Sequence, residues 1–459
     1  MPKLCSLVMA ILTASHVAPA EAQPAPTSGE DGIASHWNEK VLEASHLRTN
    51  GALDDALKGF EAALEMVRSL GEESSYFGLT LNRIGSVYLD QGKHHQAEMA
   101  LSRALPNLEH SFGPEHIEVA NCLAALGTCY RSMGRYAEAE SASSRVLAIV
   151  QKTGDSANIA VALYAMGLLY GETGRHAQAI AVLRTALRLI EQEGNPPPGA
   201  LANVLMNLGN AYLQQSRFQE GEPILRRAWR AAIQAYGPGT RQAAYVECGL
   251  AVIESARGQL RAAEARFRRA IPLLEATLGR DHPDVAAILV DLAETVRRQG
   301  RYAEAQALAE RGVKAMAALG DGPIVVGEAL ATLANTISSQ GRYARAEPLF
   351  RRALTIFLRT VGENDRRTAS ALTCLAITRA KQGDYVEADV LIQRALRIEQ
   401  NVGGPDGLLR GITLIEYAKV LRHSGQKRHA TEMEKEAHEL FARSRKASAK
   451  ATVDVSELK

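Results

Sequence analysis

Apolar residues recur along this chain at two nested intervals: three and four residues within a segment, and 40 to 42 residues from one segment to the next. The long interval is clearest at a turn position, occupied by Gly51, Gly92, Gly134, Gly174, Ser216, Gly258, Gly300, Gly341, Gly383 and Gly425. Seven residues before it stands a small residue in every copy: Ala44, Gly85, Gly127, Gly167, Gly209, Ala251, Ala293, Ala334, Ala376 and Ala418. Five residues after it comes a second small column: Ala56, Ala97, Ala139, Ala179, Gly221, Ala263, Ala305, Ala346, Ala388 and Ala430. Side chains this small in every copy mark the places where two helix backbones approach closely, so the two columns face each other across a hairpin.

Larger apolar residues complete the interface. They stand just before the first column, as in Ile84, Leu126 and Leu208, and three residues after it, as in Tyr88, Tyr130, Tyr170 and Tyr212. Spacings of three and four put them on one helix face. On the second helix Phe60, Leu101, Leu183, Leu225, Phe267, Phe350 and Ile392 recur nine residues beyond the turn position. A second glycine register, including Gly71, Gly113, Gly154, Gly194, Gly237, Gly279, Gly320, Gly362 and Gly403, closes each copy and predicts helix C-termini, where a positive φ favours glycine. Each repeat is thus two helices, neither able to bury its apolar stripe alone, and stacking supplies the core one interface at a time. The aromatic slot holds Glu254 and Arg379, and the second-helix apolar slot holds Ser143, Ala309 and Glu434. These departures predict looser or differently exposed packing, in repeats six and nine above all. The second helix of repeat ten keeps one stripe (Ala430, Met433, Ala437, Leu440, Phe441) in a charged surround, as suits a terminal repeat facing water.

These columns resemble the tetratricopeptide repeat. The 42-residue period, Leu278 to Ala286 (LGRDHPDVA) and Gly300 to Ala305 (GRYAEA, echoed at 134–139) are similar to the kinesin light chain type. The resemblance covers residues 35–445 and implies an all-α fold, a right-handed superhelical solenoid of about ten antiparallel helix-pair repeats. It also implies that the first helices line a concave groove that binds a peptide or protein partner.

Composition adds boundaries. With 53 Lys and Arg against 51 Asp and Glu, the chain lacks the basic footprint of a nucleic-acid binder. Residues 1–22 read as a signal peptide: a charged start at Lys3, an apolar run from Leu4 to Ala14, and small residues that allow cleavage after Ala20 or Ala22. The apolar run falls short of the roughly 20 residues needed to span a bilayer. The expectation is an exported protein, periplasmic or secreted, without stable membrane insertion. Residues 23–34 are expected to be a flexible linker, and 446–459 a disordered polar tail. Cys122 and Cys129 lie about 10.5 Å apart along one predicted helix, too far for a disulfide. These two, with Cys248 and Cys374, read as buried small hydrophobes.

No motif carries catalysis, a metal or a cofactor. H-E-x-x-H, C-x-x-C, G-x-S-x-G and a complete phosphate loop are absent, and Gly85 to Lys93 has the wrong spacing for the last. His94 and His95 are adjacent on a turn and lack a third ligand, while His116 and His282 hold equivalent inter-repeat positions, which points to capping. The expected function is therefore non-catalytic partner binding, by an adaptor or receptor. The resemblance places the contacts at inward first-helix positions: Asn82, Arg83, Asn203, Asn207, Asn210, Asp291, Arg297, Asn335 and Lys419. An asparagine amide both donates to and accepts from a peptide backbone. Asn203, Asn207 and Asn210 form the densest cluster. Arg226-Arg227, Arg268-Arg269 and Arg351-Arg352 recur on second helices with Glu222, Glu264 and Glu347 four residues ahead, which predicts local ion pairs on a solvated face. The competing readings are a self-associating scaffold in the cell envelope and, behind it, an enzyme with a site in the groove.

Overall fold

The computed structural model describes residues 31–454, apart from 193, 195 and 403–407. The expected signal segment lies outside the described residues, as do Gly403 and most of the expected linker. The described residues form twenty α-helices joined by tight turns. The first ten are α1 (Asp31–Thr49), α2 (Leu53–Val67), α3 (Ser75–Asp90), α4 (His94–Phe112), α5 (Ile117–Ser132), α6 (Tyr136–Thr153), α7 (Ser156–Glu172), α8 (His176–Gln192), α9 (Pro198–Gln214) and α10 (Phe218–Tyr236). The second ten are α11 (Arg241–Ala256), α12 (Leu260–Leu278), α13 (Pro283–Arg298), α14 (Tyr302–Ala315), α15 (Ile324–Ser339), α16 (Tyr343–Thr360), α17 (Arg366–Lys381), α18 (Tyr385–Val402), α19 (Leu408–His423) and α20 (Lys427–Asp454). Odd and even helices pair into ten repeats, and the chain divides between Pro238 and Gly239 into two compact units of five repeats each.

The hairpins close as the pattern of small residues requires. Every turn glycine has a positive φ, from 72° at Gly92 to 91° at Gly383, and Ser216 takes the same left-handed turn at 57°. Ser216 is the one non-glycine with positive φ among the described residues, and its Cβ makes that conformation costly. Ser216→Gly is expected to stabilise repeat five by ~1 kcal/mol, read as a higher urea midpoint. Eight of the nine inter-repeat glycines also have positive φ, and Gly113, Gly237 and Gly279 combine φ near 90° with ψ of 154°, 164° and 153°, a region open to glycine. The small columns are sealed: Ala44, Ala251, Ala293, Ala334, Ala376 and Ala418 are fully buried, as are Ala56, Ala97, Ala263, Ala305 and Ala346. A methyl added at Gly85, Gly167 or Gly209 would lie 2.5–2.6 Å from Leu101, Leu183 or Leu225 on the partner helix.

In repeats six and nine the unusual slots are filled by different chemistry, which corrects the expectation of looseness there. In repeats three, four and five a turn arginine lies over the slot tyrosine: Arg135 over Tyr130 at 4.5 Å, Arg175 over Tyr170 at 4.4 Å, Arg217 over Tyr212 at 4.8 Å. In repeat nine Arg379 replaces the tyrosine and Asp384 replaces the turn arginine, and the two form an ion pair. Glu254 of repeat six pairs with Arg266 at 2.8 Å, and Ala309 is fully buried.

The ends are finished in distinct ways. Trp37 of α1 donates to the buried Thr80 hydroxyl at 2.8 Å and packs edge-on against Tyr76. On α20, Ala430 and Ala437 are buried, and Phe441 packs so close to Gly411 that a methyl there would lie 2.6 Å from its ring. That helix continues through Asp454, past the expected boundary at 445. Its extension is rich in Ala and Lys, which favour helix with or without an apolar stripe.

Candidate functional site

From α3 to α17 each first helix buries at least half of its residues and leaves one strip open. On α5 the strip runs through Ile117, Asn121, Ala124 and Thr128, successive turns of a 3.6-residue helix. On α7 it includes Asn158, Val161 and Ala165. Of the residues expected to meet a partner, Asn210, Asp291, Asn335 and Lys419 reach such strips, and Arg83 is half-buried. Asn210 and Asn335 make no side-chain hydrogen bond among the described residues. Lys419 is exposed but pairs with Glu416 at 2.6 Å.

The remaining expected contacts are turned inward or already engaged. Asn82 and Asn203 are 5% and 4% exposed, covered by neighbouring helices. Asn207 donates to the buried Tyr164 hydroxyl at 3.1 Å and to the Asn203 carbonyl at 2.9 Å, so its amide ties repeat five to repeat four. Of the asparagine cluster, only Asn210 is left for a ligand. Arg297 is held by Glu294 at 2.7 Å and by the Ser339 hydroxyl at 3.2 Å.

Asp291 differs from these. Its side chain is open to water on one side, and no ion pair to it occurs among the described residues. The enclosing helices strip water from it, and with Glu328 and Glu294 close by its carboxyl is pushed up to about 7.

The second helices present a contrasting face. Arg226, Arg268 and Arg351 pair with Glu222, Glu264 and Glu347 at 2.7, 2.8 and 2.9 Å, as their spacing predicts. The arginines also bridge consecutive repeats, in Arg227 to Glu191, Arg268 to Glu304, Arg351 to Glu387 and Arg352 to Asp321. Their charge is neutralised in place, and each exposed pair contributes little to stability.

One feature of the site has a trace in the sequence that points elsewhere. Ser143 breaks the large-apolar column opposite Gly127, a sign of loosened packing; in the structure the paired small residues open a cavity of about 90 Å³ between α5, α6 and α7. The cavity lies on the open strips, with Asn121 and Val161 at its mouth and Val146 and Val150 in its floor.

The histidines and cysteines are structural. His116 and His282 cap α5 and α13, their Nδ1 atoms accepting from the Glu118 and Asp284 amides at 3.2 and 3.1 Å. Cys122, Cys129 and Cys248 are buried free thiols, with burial pushing Cys122 up to about 12 and Cys129 to about 11; Cys374 is a free thiol only partly covered. No group of three or more His, Cys, Asp or Glu side chains among the described residues is placed to hold a metal ion. None of the described helices is long and apolar enough to cross a membrane.

The family profile of the tetratricopeptide repeat matches residues 76–152, 129–192, 200–276, 242–318, 326–388 and 367–443. The chain belongs to the tetratricopeptide repeat family. Among solved structures, the apo form of the quorum sensor NprR from B. thuringiensis is 14% identical, covering 79% of this chain and 97% of its own with a TM-score of 0.56, which supports the tetratricopeptide fold. BtubC (BKLC) from P. vanneervenii is 25% identical over 50% of this chain and 91% of its own, TM-score 0.41. A kinesin light chain from Podosopora anserina with nearly identical tetratricopeptide-like repeats is 20% identical over 44% of this chain and 97% of its own, TM-score 0.35. The curated proteins offer no match to it.

Proposed function

We propose that this tetratricopeptide protein is an exported, non-catalytic adaptor or receptor that binds an extended peptide segment of a partner along its first helices. The observation that carries this reading is the asymmetry, within each unit, between the first helices and the second helices. On the first helices Asn210, Asn335 and the Asp291 carboxylate stand open without internal partners among the described residues. On the second helices the arginines are neutralised by glutamates. Open amides suit a peptide backbone, and Asp291 suits a basic side chain.

The test is selection of a displayed random decapeptide library on the purified protein, followed by affinity measurement. Asn210→Ala in the first unit, or Asp291→Asn with Asn335→Ala in the second, is expected to weaken the peptides bound by that unit at least tenfold. Val386→Ala with Val390→Ala, on α18, is expected to leave them unchanged. The reverse result would move the binding surface to the second helices.

A second reading has its own observation. Val386 and Val390 are 80% and 61% exposed one helical turn apart on α18, an apolar pair that suits self-association into a scaffold. A concentration-dependent mass in sedimentation equilibrium that Val390→Asp abolishes would favour it.

A further inference from the structure

We propose that repeat three holds a socket for one uncharged, branched aliphatic side chain of a bound peptide, of the size of leucine or isoleucine. The proposal rests on the peptide-binding reading above and assigns it an anchor. The slot nine residues beyond the turn is filled by a large apolar residue in seven of the other repeats, with Ala309 and Glu434 in repeats seven and ten. Phe60, Leu101, Leu183, Leu225, Phe267, Phe350 and Ile392 occupy it, each no more than 1% exposed. In repeat three the slot holds Ser143, which is partly exposed.

The opposing residue is small as well. A methyl group at Gly127 would meet nothing nearer than Ser143 Oγ at 3.5 Å and Ala142 Cβ at 3.6 Å. At Gly85, Gly167 and Gly209 the same methyl would strike a leucine at 2.5–2.6 Å. Gly127 and Ser143 together thus leave vacant the space in which repeats two, four and five seat a leucine.

Size and charge define the occupant. The vacancy is a cavity of about 90 Å³. An apolar cavity of about 150 Å³ is known to admit a benzene ring, so this one accepts a branched chain of four carbons and excludes an aromatic ring. Its walls are mostly apolar, from Val146, Val150, Ala162 and Leu169, with Thr128, Ser143 and Asn158 as polar members. The one charged group in its lining, Arg131, is paired with Glu172 at 2.6 Å, both side chains about nine-tenths covered. A partner's carboxylate or ammonium would find no unpaired counter-charge there and would lose its hydration. At the mouth, Val161 is 39% exposed, and the Asn121 amide has no hydrogen-bond partner among the described residues, which leaves it free for the backbone beside the inserted side chain.

The experiment compares decapeptide selections on the full chain and on three variants. Ser143→Ala keeps the socket open, Ser143→Leu fills it with the residue of repeats two, four and five, and Gly127→Ala narrows it by one methyl that meets only ordinary contacts. Wild type and Ser143→Ala are expected to enrich Leu or Ile at one fixed position, Gly127→Ala to shift that preference to Val or Ala, and Ser143→Leu to lose it. For the best peptide, alanine at that position is expected to weaken binding at least tenfold on wild type and less than twofold on Ser143→Leu. If Ser143→Leu melts below wild type, Gly127→Ala carries the comparison. The same preference on all four proteins, or an aromatic or charged one, would overturn the socket while leaving peptide binding intact. Absence of any enriched peptide on wild type would overturn the peptide-binding reading and the socket with it.

Discussion

Phe350→Ala is expected to destabilise the second unit by roughly 3–5 kcal/mol, the usual range for truncating a fully buried phenylalanine. Phe350 is 1% exposed and lies in one apolar cluster with Leu333, Ile337, Leu372 and Leu375, drawn from the first helices of repeats eight and nine. Deleting its ring leaves a void bounded on both sides by rigid helices, where little can collapse inward. Stability in such an array sums repeat by repeat and interface by interface, so the loss should be local. Amide exchange is expected to accelerate first in α15, α16 and α17. A fall confined to the terminal helices, with those three protected, would show that the interfaces are not built as described.

The second large effect is a contrast between two chemically identical changes. Gly209→Ala places a methyl 2.5 Å from Leu225 and is expected to cost ~1–3 kcal/mol through overpacking. Gly127→Ala occupies the same register one repeat pair earlier, meets nothing nearer than 3.5 Å, and is expected to stabilise by ~0.5–1 kcal/mol, because alanine orders a helix interior better than glycine. Urea midpoints of the two variants decide the matter. Opposite signs confirm that repeat three is hollow where repeat five is filled; a loss in both would mean that Gly127 is packed like the others.

Most of the fold was legible because positive φ and close helix approach both leave residue-type traces at fixed positions. The turn glycines and the capping histidines show this, and even Ser216, the departure, keeps the left-handed turn. The site was less legible. Helical spacing tells which face a residue occupies but not whether the neighbouring repeat supplies a partner, and Tyr164, 43 residues from Asn207, engages the asparagine that looked most available. Arg379 and Asp384 each looked like a departure from the pattern; only their contact shows that one ion pair replaces the arginine–tyrosine stack of earlier repeats. Ser143 was visible as a weak point, whereas its consequence, an open cavity, depended on Gly127 standing opposite.

The most direct test of partner binding on the first helices is photo-crosslinking in the cells that make the protein, from position 210 on α9 and, for comparison, from position 393, exposed on α18. Position 210 is used rather than the neighbouring Asn207, whose amide is already engaged by Tyr164. A discrete adduct from 210 and none from 393 is the predicted result. Adducts from 393 alone, or only to further copies of the same chain, would contradict it and make the second-helix face the working surface.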